Sequence, residues 1–176
     1  NLQKAVMSDS NFRGAILALA NLNRSIISNT VFRSASLYEV NIQNANINNS
    51  NFVKGYLYSA NLSHSAISNS NFTSAILTLI NLQNVIVSNS DFTITTFANA
   101  NLNRSIISNT IFASANLYGA ELIDTNISHL QFMQGYLYFA NFSNSIISNS
   151  NFALATLTDA NLNRSIISNT VFRSAS

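Results

Sequence analysis

Residues 51–72 read NFVKGYLYSANLSHSAISNSNF, and a large apolar side chain returns in them at every fifth position: Phe52, Leu57, Leu62, Ile67 and Phe72. A small residue follows each of the first four by three positions (Gly55, Ala60, Ser65, Ser70), and Asn51, Asn61 and Asn71 each stand just before a large one. A helix repeats its apolar face about every 3.6 residues and a strand about every 2, so neither period explains a spacing of five. A strand of about three residues followed by a two-residue corner does. In such a strand the small and large residues point inward and the residue between them points out, because side chains alternate along a strand. Four corners, each turning the chain through roughly a right angle, close one coil of twenty residues.

The same period runs outward to both ends, from Leu2 and Met7 to Ile167 and Phe172. Phe12, Phe32, Phe52, Phe72, Phe92, Phe112, Phe132, Phe152 and Phe172 recur every twenty residues, and only three of the 12 phenylalanines, Phe97, Phe139 and Phe142, lie outside that column. The column marks one interior side of each coil and is the predicted structural core. Val40, Ile80, Val85 and Leu130 interrupt the small series with bulkier residues. The second corner position carries Asn29, Asn49, Asn69, Asn89, Asn109, Asn149 and Asn169 along one edge, with Asp9 and His129 as exceptions. Asn suits the positive φ that a type II turn demands there, as do Gly14 and Gly119 on other edges. A serine row precedes that Asn row, from Ser8 to Ser168, with Asn48 substituting once.

This small–Asn/Asp–large–x–x pattern resembles the pentapeptide-repeat family, and the match covers some thirty-five consecutive units of the chain. The resemblance implies an all-β fold: a right-handed quadrilateral β-helix, a solenoid with 20 residues per coil and about nine coils, running continuously through residues 1–176. Family members often carry a capping segment or a terminal helix used in dimerisation, and none is visible in these residues. The DNA-mimicking, gyrase-protecting branch has an acidic surface, whereas Asp plus Glu total only 6 here.

A longer repeat is superimposed. NFVKGYLY at 51–58 returns as QFMQGYLY at 131–138, and residues 21–36 are identical to 161–176. Copies this similar point to tandem duplication, and a pattern already running at Asn1 and still running at Ser176 predicts a segment of a longer array.

Composition excludes several chemistries. Without Cys there is no disulfide framework and no thiolate metal site. Charged residues make up 8% against a usual share of about a quarter, so the polar surface is Asn, Ser and Thr. A formal charge of +2 with dispersed Lys and Arg is not a nucleic-acid footprint, and no apolar run predicts membrane insertion. His64 and His129 fall at corners on different edges, and Asp124 lies one corner from His129, too loose for a metal site. No serine sits in a nucleophile elbow, the glycines form no phosphate loop, and an unbroken solenoid offers no concave pocket. The expectation is a chain without enzymatic activity, cofactor or metal.

The tyrosines stand out instead. Tyr38, Tyr56, Tyr58, Tyr118, Tyr136 and Tyr138 fall on one face, and Phe139 joins them at a corner. With the corner residues Leu19, Leu79 and Leu154 they form a candidate apolar interaction face; stacking for stability alone explains the aromatics equally well. The leading expectation is a structural or scaffold protein, a fibre- or filament-forming solenoid that self-associates end to end or laterally, because open sheet edges invite pairing. Such a fibre fits an extracellular or cell-surface setting better than the cytoplasm. The alternatives are a soluble protein-binding module of the gyrase-interacting type, which the low acidity disfavours, and a binder of ice or crystal surfaces through its Ser and Asn rows, which lack a regular Thr ladder. Other protein partners are not readable from these residues.

Stacked coils stabilise one another additively, so loss of one ring from the column should be felt directly. Phe→Ala in a middle coil, at Phe72 for example, is expected to cost about 3–5 kcal/mol in chemical denaturation through the cavity it leaves.

Overall fold

In the computed structural model, which describes residues 1–176, every fifth residue from Lys4 to Ser174 has left-handed backbone. The non-glycine members have φ between 47 and 61°, and Gly14 and Gly119 join them at 66 and 62°. For an L-residue this conformation brings Cβ close to the following carbonyl at a cost of about 1–2 kcal/mol, least for Asn and Asp. These residues are the corners. Positive φ is what swings each short strand onto the next face. At most corners on three edges a backbone hydrogen bond closes the turn. In the first coil the N–H groups of Ala5, Ala15 and Ala20 donate to the carbonyls of Leu2, Phe12 and Leu17 at 3.0, 3.0 and 3.1 Å.

Between corners the chain forms β1 (Val6–Ser8), β2 (Ile26–Ser28), β3 (Asn46–Asn48), β4 (Ala66–Ser68), β5 (Ile86–Ser88), β6 (Ile106–Ser108), β7 (Asn126–Ser128), β8 (Ile146–Ser148) and β9 (Ile166–Ser168). They make one parallel sheet in sequence order. Each residue pairs with the one twenty later, from Val6 with Ile26 to Ser148 with Ser168. The other three faces hold single bridges in the same register, such as Asn21 with Asn41, Val31 with Asn51 and Tyr56 with Ile76. Backbone donors point alternately along the axis: Arg24 N–H reaches forward to the Gln43 carbonyl at 2.8 Å, and Ile26 N–H reaches back to Ala5 at 2.9 Å. The result is an all-β parallel solenoid of four faces, about twenty residues per coil and no helix, as the period of five predicts.

The interior is filled by the large residue of each face and the small residue before it. The phenylalanine column is continuous, with ring centroids 4.5–5.4 Å apart except between Phe112 and Phe132, which stand at 6.2 Å. The exception has a local cause. A Cβ on Gly135 would overlap the Phe132 ring, so that ring has moved into the space a methyl would take. Gly55, four coils' worth of sequence earlier, does not have this effect: Phe52 stays stacked at 4.9 and 4.5 Å from its neighbours. Phe97, on the adjoining face, wedges between Phe92 and Phe112 at 5.4 Å from each.

The open corner that follows the β1–β9 sheet is held by buried hydroxyls. Thr30, Ser50, Ser70, Ser90, Thr110 and Ser150 are buried there, and each hydroxyl donates to the carbonyl two residues earlier at 2.7–3.0 Å. The same oxygen can accept from the coil before: the N–H groups of Thr30, Ser50, Ser70 and Leu130 donate to the hydroxyls of Ser50, Ser70, Ser90 and Ser150 at 3.1–3.2 Å. A buried amide left without that acceptor would cost about 1–3 kcal/mol, which explains a polar residue in an otherwise apolar interior.

The Asn before each large residue does more than face solvent. Asn21, Asn41, Asn61, Asn81 and Asn101 are half-buried, and each Oδ1 accepts the corner N–H two residues on at 3.0–3.1 Å. The Asn and Ser rows on the outer edge are less connected than like-on-like stacking predicts. Amide ladder bonds join Asp9, Asn29 and Asn49 at one end and Asn149 with Asn169 at the other. In between, Asn69 turns aside to Asn48, because Asn48 replaces Ser in the adjacent row and offers its own Oδ1.

Left-handed backbone is worst for a β-branched side chain, and Ile94 (φ 57°) is the β-branched residue among the corners. It is 60% exposed, so its side chain contributes little burial there. Ile94→Asn is expected to raise stability by about 1 kcal/mol in a thermal or urea melt; unchanged or lowered stability would mean that the strain is absent.

Candidate interaction surface

No group of three His, Cys, Asp or Glu residues comes together. His64 and His129 both occupy exposed left-handed corners on separate edges. The six acidic residues are spread over five of the axial rows, with only Glu39 and Asp159 sharing one. The surface depressions are open furrows between coils, one lined by Ser143, Asn144, Asn163 and Arg164, another by Gln83, Asn103, Arg104, Ile123 and Asp124. No helix of the chain is long and apolar enough to cross a membrane. The basic row of Lys4, Arg24, His64, Arg104 and Arg164 runs along one corner, with Asp124 among its members.

The tyrosines lie where the period puts them, Tyr56 and Tyr136 on one face and Tyr38, Tyr58, Tyr118 and Tyr138 at the first position of the corner that follows it. They do not form one continuous patch. Tyr38, Tyr56 and Tyr58 stack on one another with centroids 5.9–6.3 Å apart and planes within 11°. Four coils on, Tyr118 meets Phe139 edge-on at 5.7 Å and 73°. Between the clusters the same rows hold Ile76, Thr78, Thr96, Ala98 and Asn116. Leu19, Leu79 and Leu154 are exposed corner residues, but Leu154 lies on a different edge from the other two.

A second apolar feature is more regular and escapes a reading based on aromatics. The first residue of each strand in the β1–β9 sheet points to solvent. Along the axis this row reads Val6, Ile26, Asn46, Ala66, Ile86, Ile106, Asn126, Ile146, Ile166. Its six large aliphatic members are 44–68% exposed. The third residue of each strand, Ser or Asn throughout, forms a parallel polar row. Period-two alternation within the strands was the available signal: β-branched residues at an outward position have no core to fill. Their β propensity accounts for part of the choice, since they pack laterally on their neighbours along the sheet.

The comparisons with known proteins agree with this geometry. The family model described as pentapeptide repeats matches in eight copies, over residues 1–26, 15–52, 56–93, 75–112, 95–129 and 136–173. No curated protein matches the chain. Among solved structures, HetL, a pentapeptide repeat protein involved in heterocyst differentiation regulation from the cyanobacterium Nostoc sp. strain PCC 7120, is 18% identical with a TM-score of 0.55. The alignment covers 99% of this chain and 86% of HetL. A pentapeptide repeat protein of the Arabidopsis thaliana thylakoid lumen is 22% identical with a TM-score of 0.52, over 53% of this chain and 65% of that one. At these identities the likeness shows a shared fold.

The stacked tyrosine cluster carries a readable electrostatic signature. A hydrogen bond to the Glu39 side chain, and then the charge of that carboxylate, hold the Tyr38 phenol above its ordinary value of 10.0. A raised phenol favours the neutral form in the fold, so any stabilisation linked to it is present below the ordinary value and lost as pH rises through the folded one. In an NMR titration of ring-labelled tyrosine, Tyr38 is expected to ionise above the ordinary phenol value of 10.0, and Glu39→Gln is expected to bring it back toward that value.

Proposed function

The chain belongs to the pentapeptide-repeat family, and from that premise we propose that it is a non-enzymatic structural scaffold, a rod that acts through the side chains it displays and associates laterally. The observation that carries this reading is the division of labour between inside and outside. Nearly every large inward residue is buried in coil-to-coil stacking, and its neighbours in the chain are taken up by corners. What remains for recognition is a set of axial rows, each repeating at the strand spacing of about 4.8 Å. Three of these rows, the two that hold the tyrosines and the outward row of the β1–β9 sheet, expose aromatic or aliphatic side chains, and surfaces of that kind mark interaction sites. A rigid rod with repeated side chains presents many equal contacts at once, which favours a partner that is itself repetitive. DNA mimicry of the gyrase-interacting kind would need carboxylates in a row, and the six here are dispersed.

Negative-stain electron microscopy of the purified chain over a concentration series tests the reading. Rods that associate side by side as concentration rises are expected. Dispersed single rods at every concentration would overturn it.

A further inference from the structure

The outward row of the β1–β9 sheet is nearly the same read in either direction. Counting from Ile86 at its centre, Ala66 and Ile106 are one strand away, Asn46 and Asn126 two, Ile26 and Ile146 three. Val6 and Ile166 stand four strands away. The two asparagines are its only polar members, and they sit at equal distances from the middle. We infer that this sheet face is a self-complementary surface on which a second copy of the chain packs face to face, with the two rods antiparallel and a two-fold axis through Ile86. The inference rests on the scaffold reading and names its partner.

Symmetry selects the arrangement. Two sheets can face one another through a two-fold axis that runs along the rod or along the strands. An axis along the rod reverses strand direction: centred on the sheet it lands the aliphatic row of one copy on the serine row of the other, and moved onto the aliphatic row it matches that row to itself only by offsetting the two sheets, which uncovers both serine rows and gives up contact area. An axis along the strands reverses the rod and keeps the strand direction. The aliphatic row then lies on its own counterpart, Ile86 on Ile86 and Asn46 on Asn126 of the second copy. Every apolar member meets an apolar one, and each Asn amide meets an amide that can both donate and accept. Closed two-fold contacts of this isologous kind are the commonest in soluble oligomers.

Charge permits the contact. Among the outward residues of the strands and of the corner that follows them, Asp9 is the one that carries charge at neutral pH. The preceding corner carries Lys4, Arg24, His64, Arg104, Asp124 and Arg164; about an axis through Ile86, Lys4 faces Arg164 and His64 faces Arg104 across the rim, while Arg24 and Asp124 face Asn144 and Asn44. Salt should therefore leave the association unchanged or strengthen it. Area sets its strength. Nine strands at about 4.8 Å, over a face about 10–15 Å wide, give about 400–600 Å² per copy, near the lower bound for a specific interface. The dimer should accordingly be concentration-dependent and weak.

Sedimentation velocity and site-directed cross-linking test the proposal on the intact chain. The wild-type chain should dimerise over a micromolar to millimolar series. Ile86→Lys places two ammonium groups against each other at the axis and should weaken dimerisation at least tenfold, while Tyr136→Ser on another face should not change it. Circular dichroism checks that each variant keeps the solenoid. Because the chain has no cysteine, register can be read with a short bis-maleimide. Ile86→Cys should cross-link to itself. Asn46→Cys should cross-link to Asn126→Cys and not to itself, since four coils, about 19 Å, would separate identical residues. A dimer that is indifferent to Ile86→Lys, or one in which Asn46→Cys cross-links to itself, overturns the proposed face or register and leaves the scaffold reading standing. A chain that stays monomeric throughout overturns both.

Discussion

The left-handed corner is the constraint on which the rest of the molecule depends. A strand of three residues is too short to hold a sheet by itself, and it is useful only if the chain turns at once and returns twenty residues later in the same place. Positive φ at every fifth residue makes that return exact in register, and each return adds a layer of backbone hydrogen bonds along the axis. The side chains tolerated at the corner are correspondingly diverse: Arg24, Leu79, Ile94 and Phe139 adopt the conformation alongside the many asparagines. Coil-to-coil bonding therefore supplies enough stabilisation to hold unfavourable residues in place, which is how a repeat architecture with additive neighbour terms is expected to behave.

Much of this was legible in the sequence because inward positions admit few residue types. The spacing of the large residues gives coil length, face count and the phenylalanine column, and the structure keeps all three. Less legible was anything that depends on which partner a polar atom chooses. The Asn before each large residue reads as an outward polar side chain; in the fold it folds over its own corner and accepts an N–H. Ser70 and Thr30 read as small residues of the inward series, yet they are buried for their hydroxyls, which join one coil to the next: that of Ser70 accepts the Ser50 N–H and that of Thr30 donates to the Met7 carbonyl. The Asn row at the same edge looks like a continuous ladder and is bonded only toward its ends. Alternation along a strand says which way a side chain points, but not what it will bond to.

The surface was legible in proportion to its chemical contrast. Aromatic residues draw attention, and the tyrosines do occupy one face and its corner, but as two separate clusters with different ring geometry. The aliphatic row of the sheet is quieter in sequence, since Ile and Val are ordinary in strands. The burial of the neighbouring residue in every strand but the last makes plain that this row faces outward. The side chains that the rod displays stand in rows fixed by the fold and not on loops that can be reshaped.

The twenty-residue register has a consequence for how such a chain can change over generations. Duplicating or deleting one whole coil in the gene leaves every turn, core layer and axial bond intact, so length drifts almost freely as far as folding is concerned. Symmetry does not drift with it. A coil gained between Asn46 and Asn126 breaks their equal spacing about Ile86, whereas one gained outside them leaves that spacing intact. A rod of this kind can thus keep its fold while losing the proposed pairing, which would constrain the coils between the two asparagines and leave the others free to vary.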